Sequence, residues 1–291
     1  MSANTQRFIE FLREQLQDAN HLTDFPVAPP DQASRAPTPW QAIALIVLYF
    51  VLQLAVGSLL TLVAGTVATI YQHAGWTAIV PLGRQWLGRS DMTAAAVMLT
   101  LLVSAGVIIR LCRRWWPQRW SEGALPGLGF TQSPHIAFYV AAMTAGVMMP
   151  IVGGMLTQWL AQGHEVSQDI KQLGANTTLA LRLPLALLVI SLGPMVEELL
   201  FRGVLLSAIA RLTGNGTAIV LSAALFACVH LPDLSFLWYA LPNLFLLGII
   251  LGWLRVQSAS IWPAVVAHGM NNLLALMISS PWVRLPQYYK C

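Results

Sequence analysis

The chain has 291 residues, of which 56% are hydrophobic and only 10% are charged, and its mean hydropathy is +0.64. A soluble domain carries about 25% charged residues, and a soluble globule of this size could not hide so much apolar surface. The composition therefore excludes a soluble enzyme, a disordered chain and a disulfide-rich secreted module. It predicts a polytopic membrane protein whose surroundings are the lipid bilayer. In a membrane protein the net charge of +4 says little about nucleic acid and mostly reflects arginine-rich loops facing anionic lipid on the cytoplasmic side. We expect no nucleic-acid partner.

The first half of the chain divides into a polar tail and two apolar runs. Residues 1–39 are predicted to be a cytoplasmic tail and a proline-rich linker. The first run, from Trp40 to Tyr71, is longer than one membrane crossing requires. The segment from Gln72 to Asp91 is predicted as an interfacial loop. The second run, from Met92 to Ile109, is followed by a turn-rich loop from Pro117 to Pro134.

The second half of the chain is more continuously apolar. Five runs follow, at His135–Leu160, Leu183–Leu212, Ala218–Leu231, Phe236–Leu254 and Ile261–Ile278. We predict an all-α polytopic transmembrane helix bundle of about seven crossings, with a polar catalytic pocket between the fourth, fifth and seventh helices. We assign residues 40–182 to N-terminal membrane helices and loops, 183–280 to a catalytic core and 281–291 to a short C-terminal tail.

Basic residues set the predicted orientation. Arg110, Arg113, Arg114 and Arg119 follow the second run together with two tryptophans, which is typical of a cytoplasmic membrane interface. Arg211 and Arg255 fall on the same side of the seven-crossing arrangement. We therefore expect Arg114 to face the cytoplasm and residues 163–182 to face the opposite side. The protein is predicted to be a multi-pass integral protein of a bacterial inner (plasma) membrane with a cytoplasmic N-terminus.

The fourth run contains three charged residues near its middle, Glu197, Glu198 and Arg202. An ionised group at that depth costs several kcal/mol by most estimates, so such residues are retained when they pair, line a wet cavity or have a function. Glu198 and Arg202 are four residues apart and can form an ion pair on one helix face. Glu197 is rotated by about 100° from Glu198 and is left without this partner.

Two histidines and two asparagines complete a candidate site on two other runs. His230 ends the fifth run, and His268 lies in the seventh run four residues before Asn272 and three before Asn271. A bundle that brings them to Glu197 would combine a general base, a second proton carrier, and amide and imidazole donors for an oxyanion. A structural role for each histidine is the alternative at this point.

These residues form three motifs that resemble a known family. Glu197-Glu198-Leu-Leu-Phe-Arg202 matches EExxxR, Phe226 to His230 matches FxxxH, and His268 to Asn272 matches HxxxN. Their order and spacing are similar to those of the CPBP family of intramembrane proteases, which includes the CAAX endopeptidases and bacterial Abi-type proteins. The resemblance covers about Leu183 to Ile278.

The resemblance implies a glutamate-dependent intramembrane endopeptidase without a cofactor. In that mechanism Glu197 activates water with the help of His230, and His268 and Asn272 stabilise the oxyanion. Glu198 and Arg202 support this geometry. The alternative is a zinc enzyme in which Glu197, His230 and His268 bind the metal, although the chain has no HExxH motif.

The expected substrate is a membrane-associated protein or peptide. Two other functions remain open from sequence. One is a non-enzymatic membrane protein, an immunity factor or scaffold, that retains the CPBP fold. The other is a proton-coupled transporter in which the intramembrane charged residues form a proton relay. The intact motif set favours the protease, and the lack of a visible internal repeat disfavours the transporter.

Overall fold

The computed structural model describes residues 36–162 and 177–279, and this part of the chain contains helices and no strands. The predicted all-α fold is confirmed. The chain divides into two units, Met1–Ala36 and Pro37–Cys291, and everything described below belongs to the second. The predicted N-terminal tail, apart from its last residues, and the predicted C-terminal tail lie outside the described residues.

Ten α-helices occur in the described ranges, and we number them in chain order. They are α1 (Pro39–Tyr71), α2 (Ile79–Leu87), α3 (Ser90–Trp115), α4 (Ala137–Ala161), α5 (Leu179–Ile190), α6 (Leu192–Glu198), α7 (Leu206–Thr213), α8 (Asn215–Val229), α9 (Leu241–Ser258) and α10 (Trp262–Ser279). A π-helical segment, Leu199–Leu205, joins α6 to α7. Short 3₁₀ turns occupy Trp76–Ala78, Pro232–Leu234 and Trp238–Ala240.

Five helical segments among the described residues are long and apolar enough to cross a membrane. They are α1, α3, α4, the composite segment Leu179–Thr213 and the segment Trp238–Ser258. Many of their large apolar side chains are exposed, as expected where lipid rather than water surrounds the helices. The protein is therefore an integral membrane protein. The shorter α8 and the more polar α10 occupy the fifth and seventh predicted runs, and the count of seven crossings stays a prediction.

The segment from Gln72 to Asp91, predicted as a loop, is largely helical, so that prediction was wrong. Helix α2 packs closely along α1, because the residues at the contact are glycines, which carry no side chain. A Cβ on Gly65 would meet the carbonyl oxygen of Ile79, and one on Gly83 would meet that of Thr61. Small residues allow backbones to approach in this way in membrane bundles. The short length of α2 hides it in the sequence.

The fourth run is a broken helix rather than a continuous one. α5 ends at Ile190, and Ser191 leaves the helical conformation with φ −124° and ψ −73°. Pro194 has no N–H to offer the Ile190 carbonyl. The neighbouring carbonyl of Val189 accepts a hydrogen bond from Asn272 Nδ2 at 3.1 Å. A broken transmembrane helix is tolerated where other groups satisfy its backbone, and α10 supplies one of them here.

The turn-rich loop from Pro117 to Pro134 is fixed by Arg255 of α9. Arg255 was expected among the basic residues of a membrane surface, but its side chain is fully buried. It donates hydrogen bonds to the carbonyl oxygens of Gly123 at 2.8 Å and Gly127 at 2.6 Å. Gly129 adopts φ +82°, and a Cβ there would lie 2.7 Å from the guanidinium carbon of Arg255. The arginine therefore anchors the loop to the bundle.

Contacts between helix termini define the two ends of the bundle. The backbone N–H of Thr178 donates to Asp91 Oδ1 at 2.7 Å, so α3 and α5 begin at the same end. Arg211 Nη1 donates to the carbonyl oxygen of Pro37 at 3.3 Å, so α7 ends where α1 begins. We call this second end the arginine end, because the exposed Arg110, Arg113 and Arg114 lie there at the end of α3.

We predict that Gly83→Ala destabilises the protein, because the new Cβ forces α2 away from the Thr61 carbonyl. Overpacking of this kind costs about 1–3 kcal/mol. Gly106→Ala in α3 is the matched control, since no atom lies within 4 Å of its added Cβ. Thermal unfolding in detergent measures both variants. An equal melting temperature for Gly83→Ala and wild type would contradict the described contact between α1 and α2.

Candidate active site

The buried carboxylate of Glu198 connects two of the predicted site residues. Its Oε1 accepts a hydrogen bond from Arg202 Nη1 at 2.9 Å, and both side chains are fully buried. The ion pair predicted from the four-residue spacing is confirmed. The same oxygen lies 2.9 Å from His268 Nδ1, a contact that the sequence did not predict. Glu198 therefore links the π-helical segment to α10.

Arg202 is held in place from several directions. Its Nη2 donates to the carbonyl oxygen of Gly248 at 3.2 Å, and its guanidinium carbon lies 4.4 Å from the centroid of the Phe226 ring. Ser222 Oγ donates to the carbonyl oxygen of Phe201 at 2.9 Å. These contacts tie α8 and α9 to the π-helical segment. A π-helical turn of this kind is frequently found at functional sites.

Glu197 is brought to both histidines. Its Oε2 lies 3.7 Å from His230 Nε2 and 3.8 Å from His268 Nε2. Both separations exceed a direct hydrogen bond, and this buried oxygen has no hydrogen-bond partner among the described residues. The side chains of Glu197 and His230 are about a quarter exposed, at 24% and 23%, whereas His268 is 5% exposed. The structure thus gathers three residues from three separate runs.

The hydrogen-bond partners of the two histidines determine their neutral tautomers. His230 Nδ1 lies 2.7 Å from the carbonyl oxygen of Phe226, which can only accept, so Nδ1 carries the proton. His268 Nδ1 faces the Glu198 carboxylate and also carries a proton when Glu198 is ionised. In both neutral imidazoles the Nε2 atom that faces Glu197 is therefore an acceptor. His268 can donate from Nε2 only as an imidazolium.

Asn272 lies one helical turn after His268, but part of its hydrogen-bonding capacity is already used. Its Nδ2 donates to Val189 as described above, and its Oδ1 accepts from Asn271 Nδ2 at 3.3 Å. One amide proton of Asn272 thus remains available for another acceptor.

A cavity of about 500 Å³ adjoins these residues. Glu197, His230 and Asn272 line it, and the rest of the wall comes mainly from α1 and α3. The other lining residues include Tyr49, Phe50, Gln53, Leu54, Gly57, Leu87, Thr93, Val97, Thr100, Leu101 and Asp233. Tyr49, Gln53 and Asp233 were missed in the sequence. Gln53 could have indicated this part of the cavity wall, because it is a polar residue in the middle of the first apolar run.

The cavity extends away from the arginine end. α3 contributes lining residues only from its first half, Thr93 to Leu101. Further along α3, Ala105, Ile108 and Cys112 are fully buried against the core. The cavity is therefore closed toward the arginine end and directed toward the end at which α3 and α5 begin.

No group of three or more His, Cys, Asp or Glu side chains in residues 36–162 and 177–279 is arranged to hold a metal ion. Glu197, His230 and His268 are the residues that a zinc mechanism would require. The nitrogens and carboxylate oxygen of this set face one another at the distances given above.

The structure brings Glu197, two histidines and Asn272 together beside a cavity within a bundle of apolar helices. Residues 179–274 match the family model described as Type II CAAX prenyl endopeptidase Rce1-like. The match covers about a third of the chain and confirms the resemblance of this segment to the CPBP family; we refer to the matched segment as the Rce1-like domain. No curated protein and no solved structure matches the chain.

We predict that Arg202→Ala strongly destabilises the protein, because it leaves the Glu198 charge without its cation in a fully buried site. Breaking a buried pair in this way typically costs about 3–5 kcal/mol. The double variant Arg202→Ala/Glu198→Gln removes the uncompensated charge and is expected to recover part of the loss. Thermal unfolding in detergent compares the two. A double variant no more stable than Arg202→Ala would argue against this pairing.

Proposed function

We propose that the protein is an intramembrane endopeptidase that hydrolyses a peptide bond of a membrane-associated protein or peptide. The observation that carries this proposal is the position of Glu197 Oε2 between the Nε2 atoms of His230 and His268 at the wall of the cavity. The family to which the Rce1-like domain belongs supports the same activity.

In the proposed reaction, Glu197 and His230 activate a water molecule. Separations near 3.7 Å suit a bridging water better than a direct bond. The Glu197 carboxylate and the neutral His230 Nε2 are both acceptors, so each can accept one hydrogen of this water and leave an oxygen lone pair for attack. As the carbon–oxygen bond forms at the scissile carbonyl, Glu197 takes the proton. It then passes the proton to the departing amine as the carbon–nitrogen bond breaks.

His268 and Asn272 are proposed to stabilise the tetrahedral oxyanion. The free amide proton of Asn272 is one donor. In this mechanism His268 contributes a second donor from Nε2 when it is an imidazolium, with its Nδ1 directed to the Glu198 carboxylate. Glu198 and Arg202 support the site by holding His268 in its orientation, in the same way that a carboxylate orients a catalytic histidine elsewhere.

The proposed chemistry requires no cofactor. The rival is a zinc hydrolase, in which Glu197, His230 and His268 would hold the ion and the metal would lower the pKa of a bound water. Metal analysis and chelation separate the two, because only the zinc mechanism loses its water activator when the ion is removed.

We predict that Glu197→Gln lowers the cleavage rate by at least ~10²-fold, the scale for removal of a general base, with little change in melting temperature. The assay uses full-length protein in lipid nanodiscs and a library of membrane-tethered peptides, and mass spectrometry identifies the new termini. Cys228→Ser, a change at an exposed cysteine outside the cavity, is the control and should cleave like wild type.

The same assay tests the zinc alternative. Wild type treated with a strong chelator should remain active, and metal analysis should find no stoichiometric zinc. Loss of cleavage on chelation that is restored by zinc alone would overturn the glutamate mechanism. Equal cleavage by Glu197→Gln and wild type would overturn the role of Glu197 under either chemistry.

We further propose that the protein lies in a bacterial plasma membrane with its N-terminus and its arginine end in the cytoplasm, as basic residues near helix ends favour. Since the cavity is directed away from the arginine end, its substrates then reach the site from the non-cytoplasmic side.

We predict that Gln118→Cys is labelled by a membrane-impermeant thiol reagent only from the cytoplasmic side, and Gln85→Cys only from the opposite side. Both residues are exposed and lie toward opposite ends of α3. The background carries Cys228→Ser and Cys291→Ser, while the buried Cys112 serves as an internal test for accessibility. Labelling of both positions from one side would contradict the arrangement of α3 across the membrane, and reversed labelling would contradict the orientation.

A further inference from the structure

Tyr49 lies on α1, outside the segment that matches the Rce1-like family. The buried face of α1 follows helical spacing through Ala42, Leu45, Ile46 and Tyr49, and beyond Tyr49 the same face lines the cavity with Gln53 and Gly57. Tyr49 is thus the point at which the packed face of α1 becomes the cavity wall. The residue is only 4% exposed, yet it lines the cavity together with Glu197, His230 and Asn272.

The Tyr49 hydroxyl makes no hydrogen bond within the described residues, and its oxygen is not one of the fully buried atoms that lack a partner; Tyr49 instead lines the cavity. The ring is placed by packing, including an edge-to-face contact with Phe50 at 5.5 Å between centroids. A donor at the wall of the cavity that is not used within the protein is available to a molecule bound there.

Among the site residues described above, only the free amide proton of Asn272 is an oxyanion donor that needs no change of protonation. Neutral His230 and His268 present acceptor nitrogens toward Glu197, and one amide proton of Asn272 is committed to Val189. Stabilising a tetrahedral oxyanion requires preorganised donors where the negative charge develops. A phenol O–H supplies such a donor without any prior change of protonation.

We infer that the Tyr49 hydroxyl donates a hydrogen bond to the carbonyl oxygen of the scissile peptide and to the oxyanion formed from it. This inference rests on the proposed endopeptidase function. It makes α1 part of the catalytic site and gives the Rce1-like domain a donor that residues 179–274 do not contain. The bond forms to an oxygen whose charge increases during attack, so its contribution is greater in the transition state than in the bound substrate.

The test is Tyr49→Phe, which removes the hydroxyl and keeps the ring. We expect kcat to fall by ~10²-fold, the lower end of the effect of removing one oxyanion donor, while KM and the melting temperature stay close to wild type. The substrate is a fluorogenic peptide with the sequence cleaved in the nanodisc assay. Tyr139→Phe is the matched control, because its hydroxyl accepts from Ser133 N on the α4 side, away from the cavity.

The outcomes separate this inference from the proposed function. If Tyr49→Phe and wild type have the same kcat while Glu197→Gln is inactive, the endopeptidase stands and the role of Tyr49 is wrong. A rise in KM at unchanged kcat would also overturn it, since that pattern indicates uniform binding rather than transition-state stabilisation. If every peptide that the wild type cleaves is also cleaved by Glu197→Gln, or if the wild type cleaves none, the proposed function fails and the inference fails with it.

Discussion

A single buried carboxylate oxygen, Oε1 of Glu198, holds the arrangement of the site. It accepts from Arg202 and lies at hydrogen-bond distance from His268, both at 2.9 Å. Placing a carboxylate in so dry a position costs several kcal/mol, and that cost is offset only when its partners are close and well oriented. Since Arg202 is in turn bound to Gly248 and packed against Phe226, the Glu198 carboxylate has little freedom. The orientation of His268, and hence of its Nε2 toward Glu197, depends on this constraint.

The neighbouring Glu197 is chemically different because its environment differs. It occupies the next position in sequence, but it faces the cavity rather than the arginine and is about a quarter exposed. One carboxylate is thus held by Arg202 and His268, whereas the other is open to the cavity. The helical rotation of about 100° between adjacent residues is sufficient to produce this division, which is why the sequence alone predicted it.

The parts of the site that the sequence predicted are those set by short-range spacing. The Glu198–Arg202 pair follows from four residues on a helix, and the three polar motifs stand out because polar side chains are costly in apolar runs. What the sequence could not predict depends on contacts between distant segments. The contact of Glu198 with His268 joins residues seventy positions apart. The burial of Arg255 depends on the carbonyl groups of a loop more than a hundred residues earlier. Its charge therefore wrongly predicted a position among the basic residues of the membrane surface.

The break between α5 and α6 shows how fold and site are connected. Pro194 was visible in the sequence, but the consequence of the break depends on α10, whose Asn272 satisfies the Val189 carbonyl. The same hydrogen bond positions Asn272 at the cavity and removes one of its two donor protons. Because Asn272 supports the fold in this way, it has one amide proton rather than two to donate to a bound molecule. Under the proposed mechanism, further hydrogen-bond donors have to come from elsewhere in the bundle, and α1 contributes residues to the same cavity.

The cavity wall is built from two parts of the chain, the Rce1-like domain and the helices that precede it. Residues 179–274 contain Glu197, His230, His268 and Asn272, whereas most of the remaining lining side chains belong to α1, α2 and α3. A peptide bound against Glu197 would contact both groups. Under the proposed function, the reaction type is a property of the domain, because it depends on the carboxylate and imidazoles. The size and polarity of an acceptable substrate would then depend on residues such as Phe50, Gln53 and Thr100, which the domain does not include. On this proposal, chains that share the domain but differ in their first helices would keep the chemistry and differ in what they cleave.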